Sequence, residues 1–201
     1  RVLGVIAPDQ QVPYDIKAET ALYGELGLTA RLWKKLRLGV TGWGKYSWNQ
    51  FDNIALGATN LIGSYNFEHG RSVGVELSAD LVFRDYLTAF CISIWLIAQG
   101  QGISSAKFLF DAEQLAESSW QTLDHAQTWT ANAGVTVQHS GAALTVMAAY
   151  GSGLRTGPSN DQTVPQYLRF DATLQYSFDQ LPLRPKVAVD IVNLLDAHYA
   201  Y

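Results

Sequence analysis

Residues capable of acid–base or metal chemistry are few and scattered along this chain of 201 residues. Its four histidines lie far apart and lack the short spacing of metal ligands; they are His69, His125, His139 and His198. Asp124 and His125 are adjacent, but neighbouring side chains of a strand point to opposite faces and therefore form no catalytic pair. Gly100 and Gly102 precede no lysine, which argues against a phosphate-binding loop. We therefore expect a protein that is not an enzyme and that carries no cofactor and no metal site.

A second group of residues is suited to binding rather than to catalysis. Aromatic and cationic side chains in loops bind flat, anionic or metal-chelate ligands by stacking and by charge. Packing between loops is the ordinary alternative role for such residues. The candidates for ligand binding are Tyr65, Phe108, Phe110, Trp120 and Arg155.

Composition limits the class of protein that presents these residues. Charged residues make up 16% of the chain, against roughly 25% in soluble domains, and aromatic residues make up 12%. A net charge of −4 and no basic cluster longer than Lys34-Lys35 exclude a nucleic-acid partner. No apolar run approaches the length of about 18 residues that a membrane-spanning helix needs. The single cysteine, Cys91, can form no internal disulfide and is expected to pack as a small apolar residue.

Alternation of apolar and polar residues is the main structural signal. From Leu168 to Phe178 every second residue is apolar and the intervening ones are polar, which is typical of a strand with one apolar face. The same pattern recurs along the chain. It predicts eight strands, over residues 18–33, 36–49, 67–83, 86–99, 124–138, 142–153, 166–178 and 186–195.

The connections between these strands alternate in length. Short turns alternate with three long segments, residues 50–66, 100–123 and 154–165. This arrangement indicates an antiparallel up-and-down meander without helical crossovers. Residues 107–118 are rich in helix-forming residues and are expected to form a short helix within one long loop.

The uncharged apolar faces favour a membrane barrel. Each face is about as long as a membrane-crossing strand, and aromatic residues lie near the strand ends, as in outer-membrane barrels. Alternation does not say which face points inward, so a soluble sandwich or lipocalin-like barrel remains an alternative. In the membrane barrel, the charged side chains of the polar faces line the interior. They include Glu25, Arg31, Glu76, Asp80, Arg169, Asp171 and Asp190.

Several motifs resemble those of one family. Residues 187–196, VAVDIVNLLD, followed by Tyr199, resemble the penultimate-strand signature of TonB-dependent receptors. Residues 150–154 (YGSGL) and 164–167 (VPQY) are similar to the preceding hairpin of that family. Further matches, in the family's order, are residues 23–28 (YGELGL), 73–76 (VGVE) and 123–128 (LDHAQT).

The resemblance implies an all-β transmembrane barrel of 22 strands with a plugged lumen, of which residues 1–201 supply about eight strands as a partial barrel domain. It implies the Gram-negative outer membrane and energised uptake of a scarce small-molecule ligand, such as a ferric siderophore, cobalamin or a saccharide. The implied partners are outer-membrane lipid, a plug domain of the same parent chain, and TonB acting through that plug. The plug, its TonB-contacting motif and the final strand are expected to lie outside this chain.

Three other interpretations stay open at this point. The chain could form a complete small outer-membrane barrel of eight strands that serves as an anchor or in adhesion. It could be an outer-membrane hydrolase that uses Asp124 or His125. It could also be a soluble β-sandwich binding module.

Overall fold

A computed structural model describes residues 16–55, 62–103, 119–123, 126–156 and 162–199. The regular elements within these ranges are β-strands. They are β1 (Thr20–Leu32), β2 (Leu36–Ala55), β3 (Ile62–Phe83), β4 (Leu87–Ile103), β5 (Gln121–Thr122), β6 (Trp129–His139), β7 (Ala142–Gly151), β8 (Arg155–Thr156), β9 (Gln162–Thr163), β10 (Tyr167–Ser177) and β11 (Lys186–Ile191). The eight long strands match the eight that alternation predicts, and three two-residue strands are additional.

One antiparallel sheet contains the eight long strands. They lie in the order β1-β2-β3-β4-β6-β7-β10-β11, and β5 pairs with Gln99 and Gly100 of β4. Strands β8 and β9 form a separate two-stranded sheet. Each long strand pairs with the next long strand along the chain, so the predicted up-and-down meander is confirmed. In the described residues β1 pairs only with β2 and β11 only with β10, so the sheet is open and forms no closed barrel of eight strands.

Tight turns join the strands at one end of the sheet. Residues with positive φ reverse the chain there: Lys34 (60°) between β1 and β2, Arg84 (57°) between β3 and β4, and Gly141 (85°) between β6 and β7. The turn between β10 and β11 is longer and includes Leu183 (φ 70°). All four connections are short, as predicted.

The register brings the apolar faces of all eight strands onto one side of the sheet. For example, Val40 pairs with both Leu28 and Leu77, and the same row continues through Ala131 to Leu168. We call this side the apolar face and the opposite side the polar face.

No second layer of the described residues covers the apolar face. Leu26 is 78% exposed and Leu174 is 56% exposed, while the buried apolar residues of the described ranges are only Phe67, Ala98 and Ala126. A soluble sandwich would bury this face against a second sheet, so that alternative does not describe this single-layer fold. Cys91, which we expected to be packed, is exposed on the apolar face for the same reason.

The hairpin of β2 and β3 is longer than predicted. Residues 50–66 were expected to form a long loop, but β2 continues to Ala55 and β3 begins at Ile62. Pairing is interrupted at one row, where Asn49 (φ 54°), Glu68 and Gly102 (φ 66°) lie in neighbouring strands. The left-handed backbone at this row disturbs the alternation, which is why the sequence pattern ends there.

Three other strand bounds differ from the prediction by four residues or more. Strand β4 continues to Ile103 rather than ending at residue 99, within a segment expected to be a long loop. Strand β6 begins at Trp129 rather than at residue 124, and β11 ends at Ile191 rather than at residue 195, where a turn follows. The predicted helix over residues 107–118 lies outside the described residues.

Candidate functional site

The predicted interior charges all lie on the polar face of the sheet, in two separate groups. Glu25, Arg31, Glu76 and Asp80 belong to β1 and β3, whereas Arg169, Asp171 and Asp190 belong to β10 and β11. Arg37 of β2 pairs with both Arg31 and Asp80, so this row brings two cations and one carboxylate together. Four strand spacings of about 4.8 Å separate β3 from β10, so the two groups form no common cluster.

Strands β10 and β11 hold a connected polar network. Arg169 Nη2 donates to Asp171 Oδ2 at 2.9 Å, and Arg169 Nη1 donates to the Tyr199 hydroxyl at 3.1 Å. The rings of Tyr199 and Tyr167 stack with centroids 5.0 Å apart. The other Asp171 oxygen accepts the Asn193 backbone N–H at 2.8 Å. This network fastens residues 193–199 to the polar face of β10.

The Asn193 side chain closes the turn that follows β11. Its Nδ2 donates to the Ala197 carbonyl at 3.0 Å and its Oδ1 accepts the Ala197 N–H at 2.9 Å. Asn193 has a φ of 57°, a conformation that asparagine tolerates better than most residues. The asparagine of the NLLD motif therefore has a structural role, as does Asp171, which fixes its backbone.

Other charges of the polar face also have local partners. The Tyr23 hydroxyl donates to Glu25 Oε2 at 2.6 Å, and Lys45 forms an ion pair with Glu19. On β11, Asp190 Oδ1 accepts a hydrogen bond of 2.6 Å from the Thr173 hydroxyl. The Tyr23–Glu25 bond lies within β1, whereas the other two contacts join neighbouring parts of the chain across the sheet, so some of the charged residues brace the sheet.

An apolar group separates the two charged regions of the polar face. Phe90, Ile92, Ile94 and Leu96 occupy successive polar-face positions of β4, and Ile92 is 38% exposed. Trp43 of β2 extends this group. Glycines make room for the rings: a Cβ on Gly74 would lie 2.7 Å from Trp43 Cε2, and a Cβ on Gly134 would collide with Phe90.

The loop candidates are not brought into one site by the described residues. Tyr65 lies in β3, where its backbone pairs with Asp52, and Arg155 begins β8 and donates to the Thr128 hydroxyl at 3.3 Å. Phe108 and Phe110 lie outside the described residues, as do Asp124 and His125. Trp120 is held at the apolar face instead, beside Tyr46 (centroids 6.5 Å apart).

Sequence reasoning missed the partner of Trp120, which is Arg71 of β3. The Arg71 guanidinium carbon lies 4.2 Å from the centre of the Trp120 ring. Arg71 Nε and Nη2 both donate to Gln99 Oε1, at 2.8 and 2.6 Å. A signal was present, because Arg71 shares its strand parity with Val73 and Val75 and therefore interrupts an apolar stripe.

Two kinds of feature are absent from the described ranges. No three His, Cys, Asp or Glu residues in the described ranges are grouped closely enough to bind a metal ion. No helix in those ranges has the length and hydropathy needed to span a bilayer.

Comparisons with known proteins agree with this geometry. A family model described as "TonB dependent receptor-like, beta-barrel" matches residues 5–194. Eighteen chains of solved structures match as well. One of them, described as "Copper transporter OprC", is 13% identical and superposes on 91% of this chain with a TM-score of 0.64. At this identity the likeness shows the fold alone, and the chain spans 27% of the length of that transporter. No curated protein matches the chain.

The family match covers almost the whole chain, and the observed sheet has the antiparallel, up-and-down architecture of a transmembrane barrel wall. The described strands thus form an open, partial barrel, and the motifs of the sequence agree with the family match. The chain belongs to the TonB-dependent receptor-like β-barrel family.

Proposed function

We propose that this chain forms wall and extracellular loops of an outer-membrane receptor that takes up a scarce ligand by TonB-dependent active transport. The observation that carries the proposal is the uncovered apolar face, which backs onto a polar face with seven charged residues predicted to line the lumen. An outward apolar band and a polar interior are the defining properties of a membrane barrel. The family match supplies the class of transport.

The two ends of the apolar face support its placement in a Gram-negative outer membrane. Aromatic pairs flank the band at the short turns, where Tyr176 and Phe178 have centroids 4.8 Å apart. A second pair, Tyr46 and Trp48, lies toward the long loops with centroids 5.1 Å apart. Such girdles mark the two membrane–water interfaces of outer-membrane barrels. In this placement the short turns face the periplasm and the long segments face outward.

The apolar group of the polar face supports a plug partner. Side chains such as Phe90, Ile92 and Leu96 would be exposed to water in an open lumen, at a cost of about 25 cal/mol for each Å² of apolar surface. A plug domain of the same parent chain, packed against β4, would remove that cost. TonB would then act on the plug, and the charges on either side of β4 would contact its polar residues.

The ligand of the receptor is proposed from the loop residues. Tyr65, Phe108, Phe110 and Arg155 would supply rings and a cation that suit a ferric siderophore, cobalamin or a saccharide. The name of the matched copper transporter adds a copper ion or complex to these candidates. Trp120, the fifth residue predicted to bind ligand, is left out of the proposed ligand site because it lies at the apolar face beside Tyr46 and Arg71.

Uptake by cells tests the function directly. Cells that carry the complete gene, cells that lack it, and cells that lack TonB would be given labelled ferric siderophores, cobalamin, oligosaccharides and copper in turn. We expect at least one ligand to accumulate only when both the gene and TonB are present. Accumulation that persists without TonB would contradict energised transport, and no gene-dependent accumulation of any ligand would contradict the receptor role.

A matched pair of variants separates loop binding from assembly. Arg155→Ala should raise the KM of uptake because it removes a cation at the long-loop rim. Arg84→Ala removes the same charge in a short turn at the opposite end and should leave KM unchanged. An equal KM for both variants and the wild type would remove Arg155 from the proposed ligand site.

A further inference from the structure

We infer that Arg71, with Gln99 and Trp120, binds the phosphate group of an anionic outer-leaflet lipid on the outer surface of the barrel. The inference deepens the proposed function, because it rests on the membrane placement of the apolar face. It names a partner for a site that no ligand-uptake role requires.

The first support is the isolation of one charge. Arg71 is the single Asp, Glu, Lys or Arg on the apolar face of the regularly paired part of the described sheet. That part comprises β1, β2 up to Trp48, β3 from His69, β4 up to Gln101, and all of β6, β7, β10 and β11. An arginine on the lipid face of a barrel costs about 2–4 kcal/mol at the bilayer midplane and close to nothing at the interface. The position of Arg71 along its strand therefore decides whether it is tolerated.

The second support is the height of Arg71 above the short-turn girdle. Phe83 lies twelve residues further along β3, and its ring packs edge-on against Tyr86 with centroids 5.9 Å apart. With a rise of about 3.3 Å per residue and a tilt of about 40°, these residues span roughly 30 Å along the membrane normal. The apolar band of such barrels is about 25 Å tall. Arg71 thus lies just beyond the band, at the level of the lipid headgroups.

The third support is the shape of the site. The bonds to Gln99 use two of the five guanidinium N–H donors, and Arg71 is exposed. The Trp120 ring centre lies 4.2 Å from the guanidinium carbon, and the two bonds to Gln99 orient the group. A planar, preoriented guanidinium is the group that binds phosphate by two parallel hydrogen bonds.

The surroundings favour a lipid over a soluble anion. Tyr46 is directly paired with Arg71 in the neighbouring strand, and Trp48 lies one row nearer the loops. In the opposite direction the next rows are apolar, with Val73 and Ile97 paired. A molecule with its phosphate at Arg71 would lay its acyl chains along these rows. A free phosphate ion would gain nothing from them.

The test measures lipid binding by the complete gene product, purified in detergent and checked for folding by its heat-modifiable migration. Native mass spectrometry with phosphatidic acid as the probe gives an apparent Kd. We expect Arg71→Gln to weaken binding about tenfold, the loss of a charge-assisted pair of hydrogen bonds. Arg37→Gln removes the same charge from the polar face of β2 and should leave the Kd unchanged.

Four results would overturn the inference. One is an Arg71→Gln protein that binds as tightly as the wild type, and another is equal weakening by Arg37→Gln. A third is displacement of the lipid by millimolar inorganic phosphate, which would identify an ion site. The fourth result concerns Arg71→Lys, which retains the positive charge but lacks the paired donors of the guanidinium. This variant decides the question if Arg71→Gln fails to fold, because wild-type lipid affinity in Arg71→Lys would refute phosphate recognition by the guanidinium.

Failure of this inference is distinguishable from failure of the proposed function. Lipid binding is read from the purified protein without any transport. Loss of TonB-dependent uptake with an intact Arg71-dependent Kd would refute only the transport role, whereas normal uptake with an unchanged Kd in Arg71→Gln would refute only the lipid site.

Discussion

Substituting Asn193 should open the turn after β11 without disturbing the rest of the sheet. The side chain makes two hydrogen bonds to Ala197, at 3.0 and 2.9 Å, and its backbone N–H is held by Asp171 at 2.8 Å. Alanine removes both side-chain bonds and places a Cβ in the left-handed region at a φ of 57°. Glycine removes the same two bonds but adopts this φ without strain.

The expected costs follow from these two contributions. Each hydrogen bond to a partly buried group contributes about 1 kcal/mol net, so Asn193→Gly should destabilise the closed turn by about 2 kcal/mol. The left-handed conformation costs alanine about 1 kcal/mol more, so Asn193→Ala should destabilise it by about 3 kcal/mol. These values correspond to roughly 30-fold and 150-fold increases in the open population.

Hydrogen exchange of the complete gene product in detergent measures that population. The Ala197 N–H is the most direct reporter, because it donates to the Asn193 side chain. We expect peptides covering residues 192–199 to exchange about 30-fold faster in the glycine variant and faster still in the alanine variant, while peptides from β7 keep their wild-type rates. Unchanged exchange in residues 192–199 would refute the closing role of Asn193. Equal acceleration in β7 would show global rather than local opening.

Two further predictions concern the two faces of the sheet. Gly74→Ala places a Cβ 2.7 Å from the Trp43 ring and should destabilise the barrel by about 1–2 kcal/mol. Gly42→Ala, with no atom within 4 Å of its Cβ, should leave the stability unchanged. Heat-modifiable migration and tryptophan fluorescence during denaturant unfolding measure the stability of both variants. Leu77→Arg places a charge at the middle of the apolar face and should destabilise the membrane-inserted barrel by about 2–4 kcal/mol, which lowers the amount of folded protein in outer-membrane fractions. Ser78→Arg places the same charge on the polar face and should assemble normally. Equal assembly of the two variants would contradict the assignment of the faces.

Alternation predicted the strands because each apolar face lies on one side of a single sheet. It worked best where the register is unbroken, as from Leu168 to Tyr176, which pairs residue by residue with β7. It failed beyond Asn49, whose φ of 54° interrupts the extended backbone. There Gln50 lies against Gly70, a residue of the polar face, although its parity places it on the apolar face. A period of two does not survive such a residue, so the longer hairpin looked like a loop.

The candidate site was less predictable than the fold. The charged residues of the polar face followed from parity alone, since parity decides the face of a strand residue. The position of Trp120 did not, because it depends on the pairing of β5 with β4, a contact between segments about twenty residues apart in sequence. The NLLD motif could be recognised, but its bonds to Asp171 depend on the register of β10 with β11. Both contacts depend on pairing between distant segments of the chain, which the alternation pattern does not predict.

The exposed thiol of Cys91 provides a native attachment point for a probe that measures the depth of this sheet in the membrane. It pairs with Ala79, four residues from Phe83 in β3, which places the sulfur about 10 Å above the short-turn girdle. A nitroxide attached to Cys91 would therefore sit among acyl chains, where molecular oxygen quenches it and a water-soluble nickel chelate does not. The lone cysteine of residues 1–201 thus offers a native labelling point from which immersion of the barrel can be read in ångströms.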